Sequence, residues 1–230
     1  MSKKYILTAC LFWVCSVASA QVILPAFQGV FNKPKTAAIC GAYVAAGVWK
    51  QFMCHNLGAD ASLDPFTPVQ GIHGNLYQWG RSTNVATAST AATAVSGWYT
   101  AAIPDGAWLD ASKTVNDPCP AGYRVPTYAQ LSYIFTGNTV KNIGSWVGSN
   151  TNFSSAKTFG TSTTVTLILP VAGYRFDGVG NLANRGVEGI YWSSTQTASG
   201  YAKSVDFFST AMVYWNADRN FGLSVRCIAQ

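Results

Sequence analysis

The stretch that most constrains this chain is its C-terminal end, residues 186–230, GVEGIYWSSTQTASGYAKSVDFFSTAMVYWNADRNFGLSVRCIAQ. Three alternating or apolar runs lie in it, at residues 189–192, 201–208 and 223–228, with a short fourth run at 211–215. Short runs rich in Tyr, Val, Phe and Trp, separated by Gly, Ser and Asn, read as strands of an antiparallel sheet. Cys227 lies three residues from the end, so a disulfide there ties the last strand down. The segment between Ser193 and Phe221 is then the working surface, and the remainder of the chain presents it.

The start of the chain reads as an export signal. Lys3 and Lys4 precede an apolar core at residues 5–17, and Ala18-Ser19-Ala20 supplies the small residues of a cleavage site. Residues 1–20 are expected to be removed, 21–37 to form an N-terminal leader and 38–230 to form one domain. No later stretch reaches the eighteen apolar residues of a membrane span, so no transmembrane segment is expected. Loss of Lys3 and Lys4 leaves 13 of the 15 basic residues against 9 acidic ones. That excess is mild and unclustered, which argues against nucleic acid as a partner.

Of the six cysteines, Cys10 and Cys15 leave with the signal. Four cysteines in an exported chain imply two disulfides, with three possible pairings. The expected pairing is Cys40–Cys54, a staple across a local hairpin, and Cys119–Cys227, closing a loop of over a hundred residues. No C-x-x-C spacing occurs, and His55 is the only histidine beside a cysteine, so no metal or other cofactor is expected.

Residues 37–53 hold two apolar runs around Ala45-Ala46-Gly47, a hairpin, with residues 49–53 alternating as a strand. Residues 75–81 read as a helical turn or tight strand ending at Gly80. Residues 82–102, dominated by Ala, Thr and Ser, read as a surface loop, as do the polar residues 144–163. The clearest helix signal follows Pro126. Thr127 and Gln130 form a capping box, Leu131, Ile134 and Phe135 share one face, and Gly137 follows as a stop. Residues 165–171 are the most apolar strand, with Pro170 marking a sheet edge or bulge.

Six segments occur in a fixed order: Trp49 with Asn56-Leu57-Gly58; Tyr77-Gln78-Trp79-Gly80-Arg81; residues 117–127, DPCPAGYRVPT; residues 169–175, LPVAGYR; residues 189–195, GIYWSST; and residues 222–227, GLSVRC. Together they resemble the Fibrobacter succinogenes major paralogous domain family of exported bacterial proteins. That resemblance implies an α+β, C-type lectin-like fold of small antiparallel sheets, one or two short helices and long loops. It also implies that Cys119, just ahead of the helix, is bonded to Cys227. The family is similar to the variable receptors diversified by retroelements, whose ligand face lies between two such framework strands. Here that interval contains Tyr201, Asp206, Phe208, Ser209, Tyr214, Trp215, Asn216, Asp218 and Asn220.

Trp49, Trp79 and Trp192 are expected in the core, and Arg124, Arg175 and Arg226 as tethers for carbonyls or carboxylates. Trp215-Asn216-Ala217-Asp218 resembles the calcium-ligating Trp-Asn-Asp of sugar-binding lectins, with Ala217 inserted. One Asn and one Asp fall short of the six to eight oxygens calcium takes. No metalloprotease, nucleophile-elbow or phosphate-loop motif is present. Glu188, the sole glutamate, could pair with Asp177 as a glycosidase dyad. The reading is therefore a binding or adhesion module without catalytic residues, secreted or held at the cell surface, with a protein or glycan ligand. A carbohydrate-binding lectin is the alternative, and an enzyme such as a glycosidase the less favoured one.

Overall fold

The computed structural model describes residues 39–230, so the expected signal and leader, with Cys10 and Cys15, lie outside the described residues. The elements follow the chain as β1 (Gly41–Ala45), β2 (Val48–Gln51), β3 (Asn75–Tyr77), β4 (Asn84–Thr87), β5 (Tyr123–Arg124), α1 (Tyr128–Tyr133) and β6 (Thr139–Ile143). There follow β7 (Ala156–Gly160), β8 (Val165–Pro170), β9 (Tyr174–Arg175), β10 (Leu182–Ala183), β11 (Gly189–Gln196), β12 (Tyr201–Phe207), β13 (Met212–Asp218), β14 (Leu223–Ser224) and β15 (Ile228–Ala229). This is a sheet-rich α+β chain. Its largest sheet has six strands in the order β13-β12-β11-β14-β3-β4.

Local chemistry accounts for the elements that were legible in advance. β1 and β2 pair as a hairpin through a turn in which Gly47 takes a φ of 71°. That left-handed conformation suits a residue without Cβ. At α1, Thr127 Oγ1 accepts from Gln130 N, and Gln130 Oε1 accepts from Thr127 N, so the capping box is closed in both directions. Leu131 and Ile134 are fully buried. They pack on Tyr191, Val205 and Phe207, on one face of the six-stranded sheet. The other face carries Ile190, Trp192, Ala202 and Ala217 against Trp79 and Trp108. Burying each large apolar side chain this way stabilises the fold by roughly 1.5–3 kcal/mol.

Both expected disulfides are present. Cys40–Cys54 joins the ends of the first hairpin, and Cys119–Cys227 spans 108 residues to hold the segment before α1 against the chain end.

Four expectations need correction. The run at residues 223–228 is two short strands. β14 pairs with β3 and, in parallel, with β11 through Tyr191 and Ser224, so the large sheet is mixed; β15 pairs with β5. The chain changes partner because Cys227 O accepts Met53 N while the Arg226 side chain turns onto the Met53 and Cys54 carbonyls. Residues 82–102 are not all loop, since β4 forms there and closes one edge of the sheet against β3. Residues 144–163 contain β7, the middle strand of a β6-β7-β8 sheet. Its Lys157 is buried because Nζ reaches Asn142 Oδ1 at 2.7 Å and lies over the Trp146 ring. Trp49 is exposed: it pairs with Tyr43 on the outer face of the hairpin, and its ring covers Gly41.

Trp79 and Trp192 are buried as expected, each with its indole N–H on a backbone carbonyl, Ser193 O and Tyr77 O. The three arginines are tethers. Arg124 donates to Val125 O and Gln130 Oε1, and Arg175 to Thr90, Thr93 and Gly180 carbonyls. Arg226 donates to Asn56 Oδ1 from both Nε and Nη2.

Candidate functional site

Strands β12 and β13 form an antiparallel hairpin whose outer strand, β13, is an edge of the six-stranded sheet. Its register pairs Tyr201 with Asp218, Lys203 with Asn216 and Val205 with Tyr214. Alternation then sorts the side chains onto two faces. One face carries Tyr201, Lys203, Tyr214, Asn216 and Asp218 beyond the buried Val205 and Phe207. The other carries Ser204, Asp206, Val213, Trp215 and Ala217.

The residues expected to form one ligand face are therefore divided. Tyr214 stands out at 67% exposure, and Tyr201 and Asn216 share its face and are exposed. Two residues that the sequence reading missed belong with them. Lys203 lies on the same face, and its ammonium sits 4.8 Å from the ring centre of Tyr128, the first residue of α1. Alternation from Tyr201 could have found Lys203. Nothing local in the sequence marks Tyr128, which is brought in by the packing of the helix. The patch thus holds three tyrosines, an amide and a cation on a rigid sheet.

Phe208 and Ser209 lie in the turn joining the two strands, where Ser209 O accepts from Asn142 Nδ2. Asp218 and Asn220 lie at the opposite end and are engaged internally. Asp218 Oδ1 accepts Asn220 N at 2.9 Å, and Asn220 O accepts from the buried Gln78 Nε2. Asp218 Oδ1 is thereby engaged in a turn. Trp215 is turned inward and half-buried, its ring 4.9 Å from Phe221 and 6.1 Å from Tyr174.

Asp206 is a correction with a chemical consequence. It is 7% exposed, because the register sets it opposite Ile190 on the inner face. There it meets Glu188, whose carboxylate accepts from Asn184 Nδ2. Glu188 lies beside Asp206, and Asp177 contributes its backbone carbonyl to Trp98 Nε1. Burial first, and then the neighbouring Glu188 carboxyl, push Asp206 up to about 8. Its Oδ1 is buried with no partner.

This gives stability a pH dependence whose sign can be worked out. Folded Asp206 keeps its proton where the unfolded chain has lost it, so its contribution shrinks as pH climbs from 3.8 to about 8. His73 acts oppositely: burial lowers it to about 4, so its contribution is complete above 6.5 and is lost toward acid. His55 is lowered by burial as well, with the same sign. Below 6.5 these slopes oppose one another, and between 6.5 and 8 Asp206 acts without them. The melting temperature is expected to fall by about 2–8 °C across that window, equivalent to ~1–2 kcal/mol. In the Asp206→Asn variant, scanning calorimetry should find the window flat.

A family model described as a domain of unknown function (DUF8237) matches residues 158–228, from within β7 to the first residue of β15. No curated protein and no solved structure matches the chain. Over those residues, which include both faces of the β12–β13 hairpin, the chain is similar to that family.

Proposed function

We propose that this protein is an exported ligand-binding or adhesion module of C-type lectin-like fold, related to the Fibrobacter succinogenes major paralogous domain family, and not an enzyme. The observation that carries the reading is Tyr214, two-thirds exposed on an edge strand of a sheet whose opposite side is packed and whose chain end is disulfide-tied. Tyr201, Tyr128, Lys203 and Asn216 surround it. Rings on rigid strands supply contact area at little entropic cost, and neighbouring small polar groups supply hydrogen bonds. The C-type lectin-like assignment is supported by a capped helix whose leading cysteine is bonded beside the last strand, and by β15 pairing back onto β5 and Phe52. Two disulfides favour an oxidising location, secreted or at the cell surface. The partner is a protein or glycan.

Labelled protein screened on a glycan array and on a panel of bacterial and animal cell surfaces supplies the ligand. Against that ligand Tyr214→Ala is expected to weaken binding at least tenfold, as truncation of an aromatic anchor does, with Trp215→Ala acting through stability instead. Thr93→Lys, whose backbone carbonyl still accepts from Arg175, should bind as wild type. Full affinity in Tyr214→Ala together with a loss in Thr93→Lys would place the ligand elsewhere.

A further inference from the structure

Arg185 is buried at 4% exposure, yet among the described residues no carboxylate forms a salt bridge with it. Among the described residues the two salt bridges lie elsewhere, Lys113–Asp117 and Arg219–Asp105. The Arg185 guanidinium donates from Nη1 to Asn150 O at 2.7 Å and reaches Ala172 O from Nε at 3.5 Å. Its plane lies over the Phe153 ring, 4.6 Å from the centre. Burial lowers its pKa to about 10, and the charge that adds to this lowering is another cation, the fully buried Arg175. Neither guanidinium has a salt-bridge partner among the described residues, an arrangement that burial of charge makes unfavourable.

Arg185 is not sealed off. It lines a cavity of about 310 Å³ with Gln70, Thr90, Ala91 and Thr151. Nη2 is the one guanidinium nitrogen with no acceptor among the described residues. The cavity shares Gln70, Ala88 and Ser89 with a second one of about 420 Å³ beside Gly58 and Gly74, so the two form a groove. The groove runs from Thr87, the last residue of β4, along residues 88–92, beside the sheet edge opposite β13. Among the described residues its walls hold hydroxyls, amides and small side chains, with no acidic residue, and Arg185 is its only cation.

We propose that this groove is a second binding site, for a small carboxylate-bearing ligand with the size and polarity of a sugar acid. The carboxylate accepts from Arg185 Nη2, and the hydroxyl and amide groups of Gln70, Ser89, Thr90 and Thr151 take the ligand hydroxyls. Charge-assisted bonds from arginine to carboxylate are strong and directional. The volume is that of a small-ligand pocket. A single cation with one free nitrogen matches a singly charged carboxylate, whereas a phosphate ester, with nearly two charges and three acceptor oxygens, calls for more donors.

The test is an amide-shift titration of the protein with sodium glucuronate, with glucose as the neutral counterpart and sodium sulfate as the inorganic anion. Glucuronate is expected to give saturable shifts at residues 88–92 and 150–151, with glucose and sulfate at least tenfold weaker. Arg185→Lys should weaken glucuronate at least tenfold. Because that change also disturbs the Asn150 tether, Ala91→Trp serves as an independent variant. Ala91 is exposed, so the indole fills the cavity mouth with Arg185 untouched, and the same tenfold loss is expected. Equal shifts from glucose or sulfate, no saturable shift from glucuronate, or unchanged affinity in Ala91→Trp would each overturn the site. Since Ala91→Trp leaves the Tyr214 patch intact, failure here does not touch the proposed function.

Discussion

Arg226→Met is expected to lower the melting temperature by about 10 °C or more, the largest effect of any single substitution considered. Arg226 is buried and donates to three acceptors: Asn56 Oδ1 from Nε at 3.0 Å and from Nη2 at 2.7 Å, and the Met53 and Cys54 carbonyls from Nη1. Asn56 in turn donates to His73 O and to the Tyr191 hydroxyl, which donates to Pro170 O. One side chain thus ties the end of the first hairpin, the central strand β11 and the edge strand β8. Methionine fills the volume but orphans all three acceptors. Each buried acceptor left unpaired costs ~1–3 kcal/mol, so three cost on the order of 3–9 kcal/mol, and a domain of this size loses about 2–4 °C per kcal/mol. Thermal unfolding followed by circular dichroism measures it. A change below ~1 kcal/mol would mean that water replaces the guanidinium and that the network is not structural.

Replacing both Cys119 and Cys227 with alanine is expected to destabilise the protein by ~2–5 kcal/mol, and more than the same change at Cys40 and Cys54. On the loop-entropy account a crosslink restrains the unfolded chain more as its loop lengthens, roughly 4.7 kcal/mol for about a hundred residues and 3 for about fifteen. The separations here are 108 and 14 residues. Denaturant titration of the two double variants gives the order. If the short loop proves the costlier to open, lost native packing outweighs chain entropy at these sites.

What was legible in the sequence was local or motif-bound. The capping box at Thr127 and Gln130 needs no tertiary information, and the Tyr-Trp-Ser-Ser strand, the first hairpin and both disulfides came from short-range pattern or resemblance. What was hidden depends on partners far along the chain. β7 reads as polar because Lys157 and Thr158 are paired by Asn142 and by the Lys141 carbonyl, contacts invisible in a single window. Arg185 and Arg219 carry no motif, and their burial follows from Phe153 and Trp79 coming beneath them. At the candidate site alternation placed residues on two faces, but the sequence could not say which face meets solvent. Tyr214 and Trp215 are neighbours of equal propensity, and only the pairing of β13 on β12 decides which one meets solvent. The same register removed Asp206 from the face and made it the partner of Glu188.

The placement of the two crosslinks has a mechanical consequence. If the chain is held at its N-terminal side and pulled from its C-terminus, tension runs from Cys40 across to Cys54, onward to Cys119, and across to Cys227. Only the roughly 65 residues between Cys54 and Cys119 can then pay out, a lengthening on the order of 200 Å. The helix α1 and strands β11, β12 and β13 all lie inside the longer covalent loop and bear no tension between the ends. β3 and β4 can be stripped from the sheet while Tyr128, Lys203 and Tyr214 keep their places. The proposed patch would keep its shape under load for as long as the bond at Cys119 stays oxidised, and a reductant would convert the same load into extension of the patch itself.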